Sequence, residues 1–347
     1  MTRFPRRLVV VVISVAQVAA ACGGDDGPAR AQQRKPPATT TTVPIPIAPL
    51  TGLPDPTGVT ATRAALQVKI ENTPEARPQS GLDVADVVYE EVVEGGITRF
   101  WAVFSSNAPE TVGPIRSVRF MDPDIVSASG GVVAYSGGTE PNVALIRAAP
   151  VVWVDENNAG DAFFREPTRR APHNLFGNTA LLWQRGGVPV PPRPLFTYLD
   201  VEDGQTFVGE PVAQFELNFD QGYDVTYVWD PTLGWSRIQH DEPFLTTALT
   251  QLSVPNVVVQ FVEYGAGGEG QLIRQGGAWI FAGGQLVRGL WSRAAPDQPT
   301  LYTDAAGAPI ALPPGRTWVE LFPAGLSVDV TPGVPPSTAP ATTTTRR

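Results

Sequence analysis

Apolar and polar positions alternate with a period of two at residues 66–70 (Leu-Gln-Val-Lys-Ile), 87–91 (Val-Val-Tyr-Glu-Glu) and 97–104 (Ile-Thr-Arg-Phe-Trp-Ala-Val-Phe). That period predicts three strands, because successive side chains of an extended chain point to opposite faces. Gly95-Gly96 is a tight connection between the last two. Residues 132–136 and 151–154 add two further strands, and 141–147 reads as a helix between them. Strand, helix, strand in that order predicts a mixed α/β first domain. After the Pro-rich stretch at 188–194 the pattern changes. Short β-like runs at 215–219, 225–229, 256–264, 270–274, 278–281 and 286–290 are separated by Gly-rich turns such as Gly276-Gly277 and Gly283-Gly284. Their spacing predicts a mostly antiparallel β domain. The expected fold class is therefore α+β, with a mixed α/β domain over 49–198 and a β-rich domain over 199–330.

The two ends carry no such periodicity. Residues 8–16 form an apolar run after Arg3, Arg6 and Arg7. The run has the length of a signal-peptide core and is too short to cross a hydrocarbon layer of ~30 Å. Ala19-Ala20-Ala21-Cys22 follows, and small residues before a thiol read as a lipid-attachment site; the alternatives are a plain secretory signal or a retained N-terminal anchor. Residues 1–21 are thus expected to be a lipoprotein signal peptide, 22–48 a Pro/Thr-rich tether and 331–347 a disordered tail of like composition. Threonines in both tracts could carry sugars, against plain disorder as the alternative.

Composition narrows this further. Cys22 is the only cysteine, so the body must hold together without disulfides, through a core drawn from the 42% of hydrophobic residues. The formal net charge is -9, and residues 199–330, with 5 basic and 16 acidic side chains, are at -11 more negative than the chain as a whole. A broad basic face is missing, which argues against nucleic acid as a partner.

Unusual polar residues concentrate between 71 and 174. They comprise Glu71-Asn72, Arg77-Pro78-Gln79-Ser80-Gly81, Asp86 to Glu91, Glu94 to Arg99, Gly113-Pro114-Ile115-Arg116-Ser117-Val118-Arg119, Ser136-Gly137-Gly138 and Arg169-Arg170-Ala171-Pro172-His173-Asn174. With Thr51-Gly52-Leu53-Pro54 near the start of the body and Pro314 to Val319 near its end, these blocks resemble the YerB-like lipoproteins, domain-of-unknown-function family 3048, over essentially the whole body. The resemblance implies a lipid-anchored envelope protein with an N-terminal and a C-terminal domain, and it brings no established activity. Glu71 departs from the pattern, which often has Asp before Asn.

The chemistry must then be read from the residues. Arg116 and Arg119 follow Gly113-Pro114 at the expected start of a helix, where free N–H groups favour an anion and guanidinium groups could clamp a phosphate or carboxylate. An internal ion-pair network with Asp86, Glu90 and Glu94 would place the same charges for structural reasons. Asn72, Arg77, Arg99, Arg116, Arg119 and Asn174 are the candidate ligand-binding residues. Glu90 and Glu94 could flank a bond as acid and base, or one of the neighbouring glutamates could pair with Arg99. His173 beside Arg169 and Arg170 could stay neutral and act as a base, or simply hold a loop. His240 in its acidic stretch reads as surface. The Gly-x-Ser-x-Gly, Gly-x-x-x-x-Gly-Lys and His-Glu-x-x-His motifs are absent, no cofactor or metal is expected, and Trp229, Trp235, Trp279, Trp291 and Trp318 read as core or as a sugar-stacking surface.

Two functions fit. The first is a non-catalytic protein, lipid-anchored through Cys22 to the outer face of the bacterial cytoplasmic membrane, whose Arg/Glu-lined groove binds an anionic cell-wall polymer or an envelope protein. The second is an envelope hydrolase using Glu90 and Glu94, with His173 assisting.

Overall fold

The computed structural model describes residues 45–187, 190–219, 222–266 and 268–334. The expected signal peptide, the Cys22 lipid site, the tether up to residue 44 and the tail from 335 lie outside the described residues. Packing begins just inside the expected tether, where Ile47 pairs with Pro54 and Ala48 is buried.

The three alternating segments of the first half form β1 (Leu66–Glu71), β2 (Val87–Val92) and β3 (Thr98–Phe104). β3 lies between β1 and β2 and is antiparallel to both. On the far side of β1 the sheet continues with two parallel strands, Val132–Tyr135 and Val152–Asp155. Beside β2 it continues with Thr317–Pro323, from near the end of the chain and also parallel, and then Asn256–Val262. The main sheet therefore runs without a break across the division expected near residue 198. At the other end of the body Val328–Pro332 pairs with Glu210–Leu217, so the strand carries order past residue 330, where the sequence predicts a tail. Three α-helices occur among the described residues, α1 (Asp122–Val126), α2 (Glu140–Ala148) and α3 (Thr179–Gly186). The architecture is mostly β with few helices, mixed in its first part and β-rich in its second.

Every residue of β1 and of β3 is buried, as a strand covered on both faces requires. On one face Phe100, Phe281 and Trp318 meet a second layer built from Glu210–Leu217, Val225–Asp230 and Gly234–Gln239. Phe215 stacks on Phe281 with ring centroids 3.6 Å apart, and Phe100 meets Trp318 edge-on at 5.3 Å. Aromatic pairs of this kind add about 0.5–1.5 kcal/mol each beyond their burial. On the other face Trp101, Val133, Tyr135 and Val319 pack with Ile125 and Val126 of α1, Val143 and Ile146 of α2, and Leu195. Trp235, Trp291 and Trp318 lie in the core, whereas Trp229 and Trp279 are partly buried against it.

Lys69 projects onto the helix-covered face and is fully buried. It pairs with Glu91 of β2 and, at 2.8 Å, with Asp122 of α1, which also accepts from the Trp101 indole at 2.8 Å. Two carboxylates therefore converge on the only ammonium of the folded body, and α1 is tied to the sheet through them.

Candidate functional site

The parallel strands β1 and Val132–Tyr135 stop pairing at their carboxyl ends, and residues 114–118 enter between them in extended form. Glu71 N–H donates to Pro114 O (3.0 Å) and Arg116 N–H to Lys69 O (2.9 Å) on one side. Ser136 N–H donates to Arg116 O (3.0 Å) and Val118 N–H to Gly137 O (2.9 Å) on the other. The helix expected to start at Arg116 is therefore not there; α1 begins only at Asp122, because the N–H groups of 116 and 118 are used by the neighbouring strands. The insertion places Arg116, Ser117 and Arg119 at the carboxyl end of parallel strands, where open α/β sheets hold their ligands.

Glu71, the last residue of β1, organises the first part of this end. Its carboxylate is buried, and one oxygen serves three groups: His173 Nδ1 at 2.9 Å, the Thr73 hydroxyl at 3.0 Å and Arg116 Nε at 3.4 Å. Arg116 also donates to Pro172 O at 3.3 Å, joining the His173 loop to the insertion. His173 is thus held by a carboxylate, not left beside arginines alone.

The second part centres on Arg99 of β3. Its residue is 5% exposed, it donates to Ser117 O at 2.9 Å, and its Nε has no hydrogen-bond partner. Among the described residues no carboxylate is in direct contact with it, and Glu94 and Asp122 act on it only from a distance. Burial pulls its guanidinium down to about 10, and the positive charges of Arg119 and Arg116 add to that pull. Arg119 pairs with Glu94 at 2.5 Å and donates to Ser117 O and Val118 O. Partial burial raises the Glu94 carboxyl, but Arg119 outweighs it and the group ends below its ordinary value. A cavity of about 350 Å³ opens here, lined by Glu94, Arg119, the exposed ring of Phe120 and Asn142 from the first turn of α2. Arg99, Arg116 and Arg119 are therefore brought together with Glu94, Glu71 and His173.

The other candidates are taken elsewhere. Glu90 is fully buried on the opposite face of β2, where its carboxylate pairs with Arg237 at 2.8 Å and accepts from Asn72 at 3.1 Å. Asn72 also donates to Thr98 (2.7 Å) and Gln239 (3.1 Å), so it is spent inside the protein. Arg77 reaches Asn72 and His240 at 3.3–3.4 Å and lies over Phe244; burial pulls it down to about 10. Asn174 accepts from Arg165 at 3.2 Å. Glu90 and Glu94 share no partner and face different surroundings.

Sequence reasoning missed the group that Glu90 joins. Arg237 is fully buried, pairs with both Glu90 and Glu320 (3.2 Å), donates to the Tyr227 hydroxyl (2.8 Å) and sits among the rings of Phe100, Phe244 and Trp318 at 4.9–5.6 Å. Tyr227 donates to Glu320.

Comparison with known proteins identifies the family and the fold. Residues 50–187 match the model for the "Protein of unknown function (DUF3048) N-terminal domain" and residues 215–319 that for its C-terminal domain. The chain is 37% identical over 130 residues to "Putative lipoprotein YerB" of Bacillus subtilis (strain 168), a match spanning 37% of this chain and 39% of that protein. The crystal structure of the YerB protein from Bacillus subtilis superposes with a TM-score of 0.71 at 23% identity, over 82% of this chain and 99% of that one, and so shares the fold. Among the described residues no helix is long and apolar enough to cross a membrane.

Proposed function

The chain belongs to the DUF3048 family and carries both of its domains, and from that premise we propose that it is a lipid-anchored envelope protein that binds an anionic envelope component without turning it over. The observation that carries the reading is the cluster of Arg99, Arg116 and Arg119, in which Arg99 is buried and has no carboxylate of its own. Glu94 and Asp122 act on Arg99 only from a distance, and two further guanidinium groups oppose them, so a buried guanidinium without a carboxylate in direct contact is costly unless something else approaches it. An anion entering beside Arg119 would do so, with the bidentate geometry that arginine offers to phosphate or carboxylate.

Attachment through Cys22 to the outer face of the cytoplasmic membrane is part of the proposal, in line with the lipoprotein name of the Bacillus relative.

Hydrolysis by Glu90 and Glu94 is the weaker reading. It needs two carboxyls flanking an open cleft, whereas Glu90 has no exposed surface and is paired with Arg237. Incubation of the purified protein with isolated cell wall separates the two. Retention without released fragments, lost in Arg116→Ala/Arg119→Ala, is expected; soluble products abolished by Glu94→Gln would establish hydrolysis instead.

A further inference from the structure

We infer that the anion is presented as a phosphoryl group, seated between Ser117, Ser136 and the first turn of α2; this rests on the anion-binding reading above and specifies it. Three features converge. First, Ser136-Gly137-Gly138-Thr139 leads from the strand Val132–Tyr135 directly into α2, nine residues long, and Thr139 at its N-cap makes no side-chain cap. The first-turn N–H groups of Glu140 and Asn142 are therefore not taken up by a cap, and Pro141 between them has none. Gly138 is required there, since a Cβ would come within 2.9 Å of Val118 Cγ2; bare backbone lets the arginine-bearing segment lie against the turn. Second, the Ser117 and Ser136 hydroxyls approach to 3.4 Å across the junction of the two segments. Third, the buried Arg99 guanidinium reaches the same segment, bonded to Ser117 O and with its Nε unpartnered. Arg119, two residues on from Ser117, and Asn142, which reaches Val118 O at 3.5 Å, line the neighbouring cavity.

These donors come from different elements and different directions. A carboxylate is planar and is satisfied by one guanidinium fork, whereas a phosphoryl group offers oxygens in several directions and suits hydroxyls, helix N–H groups and guanidinium groups together. Glu94 on Arg119 and Glu140 in the first turn of α2 are the internal negative charges the ligand must compete with. Esters of phosphate occur both in lipid headgroups and in soluble polymers, and the crevice recognises the group they share.

The test is calorimetric titration of the full-length protein in detergent with inorganic phosphate, short-chain phosphatidylglycerol, a glycerol phosphate oligomer and poly-glutamate, at matched ionic strength. Saturable binding of phosphate is expected, weakened about tenfold in Ser117→Ala/Ser136→Ala and also in Arg119→Gln. The serine variants remove only two small, partly exposed hydroxyls, so folding is not at stake. Tighter binding of the lipid or of the oligomer identifies which source the crevice prefers. Binding of poly-glutamate but not of phosphate, lost in Arg116→Ala/Arg119→Ala, would overturn the phosphoryl assignment and leave anion binding standing. Failure of every anion overturns both, and phosphate binding indifferent to the serine pair overturns the placement.

Discussion

Glu90 and Glu320 stand side by side, in register on adjacent parallel strands, and the single guanidinium of Arg237 serves both. All three side chains are fully buried. Burial, and the Glu90 carboxyl beside it, push Glu320 well above the ordinary carboxylate range, which favours its neutral form. Glu320→Gln should therefore be mild, within about 1 kcal/mol, because a neutral amide replaces a carboxyl whose neutral form is favoured. Arg237→Met should cost about 3–5 kcal/mol, since it leaves a buried pair broken. Urea unfolding of the two variants measures this, and equal losses would refute the assignment.

The same group sets a pH dependence. A carboxyl whose folded pKa is raised stabilises the protein fully below its unfolded value of about 4.5 and loses that contribution as pH climbs toward the raised folded value, at up to about 1.4 kcal/mol per unit for one proton. Unfolding free energy followed upward from pH 4.5 should show this decline in the native protein, and the slope should flatten in Glu320→Gln. An unchanged slope in the variant would place the proton elsewhere.

Glu94 is the counter-ion already sitting on Arg119, and its side chain is largely exposed. Removing its charge should free Arg119, so Glu94→Gln is expected to bind phosphate a few-fold more tightly, with a gain that shrinks at high salt as exposed ion-pair effects do. Weaker binding in this variant would mean that Glu94 contacts the ligand and does not compete with it.

Much of this was legible in the sequence. The strands read at 66–70, 87–91 and 97–104 and the helix read at 141–147 are present within a residue or two, because period-two and helical patterns report which face is buried. Of the six candidate ligand-binding residues, Arg99, Arg116 and Arg119 lie close together, whereas Asn72, Arg77 and Asn174 have partners elsewhere. The conformation around Arg116 was not legible: Gly-Pro before a polar run looks like a helix start, but the hydrogen bonds that hold 114–118 extended come from β1 and from Ser136, both distant in sequence. Arg237 was invisible for a related reason. Its strand turns Trp235, Arg237 and Gln239 inward and leaves Ile238 half-buried, an inverted pattern explained only by Glu90 and Glu320. The run at 270–274 forms only an isolated bridge at Gly270, and the strand expected at 278–281 starts earlier, at Gln275.

Glu71 tests how the crevice is held open. One carboxylate oxygen meets His173, Thr73 and Arg116, and only the glutamate length reaches all three. Glu71→Asp withdraws the carboxylate by one methylene, beyond hydrogen-bond range of at least one partner. A loss of about 1 kcal/mol in unfolding free energy is expected from the hydrogen bonds lost by the buried carboxylate to its half-buried partners, together with weaker phosphate binding because Arg116 is no longer aimed. Full stability and affinity in this variant would show that the His173 loop is held by other contacts.

Cys22 decides whether the crevice works at a membrane at all. It is the only thiol in the chain, so it has no disulfide partner within the molecule, and the small residues before it suit lipid modification. Cys22→Ser should move the protein from the membrane pellet to the soluble fraction and abolish metabolic labelling with a fatty acid. A retained apolar anchor over residues 8–16 would give a different result, with membrane association unchanged and no labelling in either form. If Cys22 carries the lipid, this substitution should also remove the protein from isolated membrane–wall preparations while leaving its phosphate titration in solution unchanged. Loss of both together would mean that the serine variant is misfolded, and retention of both would refute the lipid anchor.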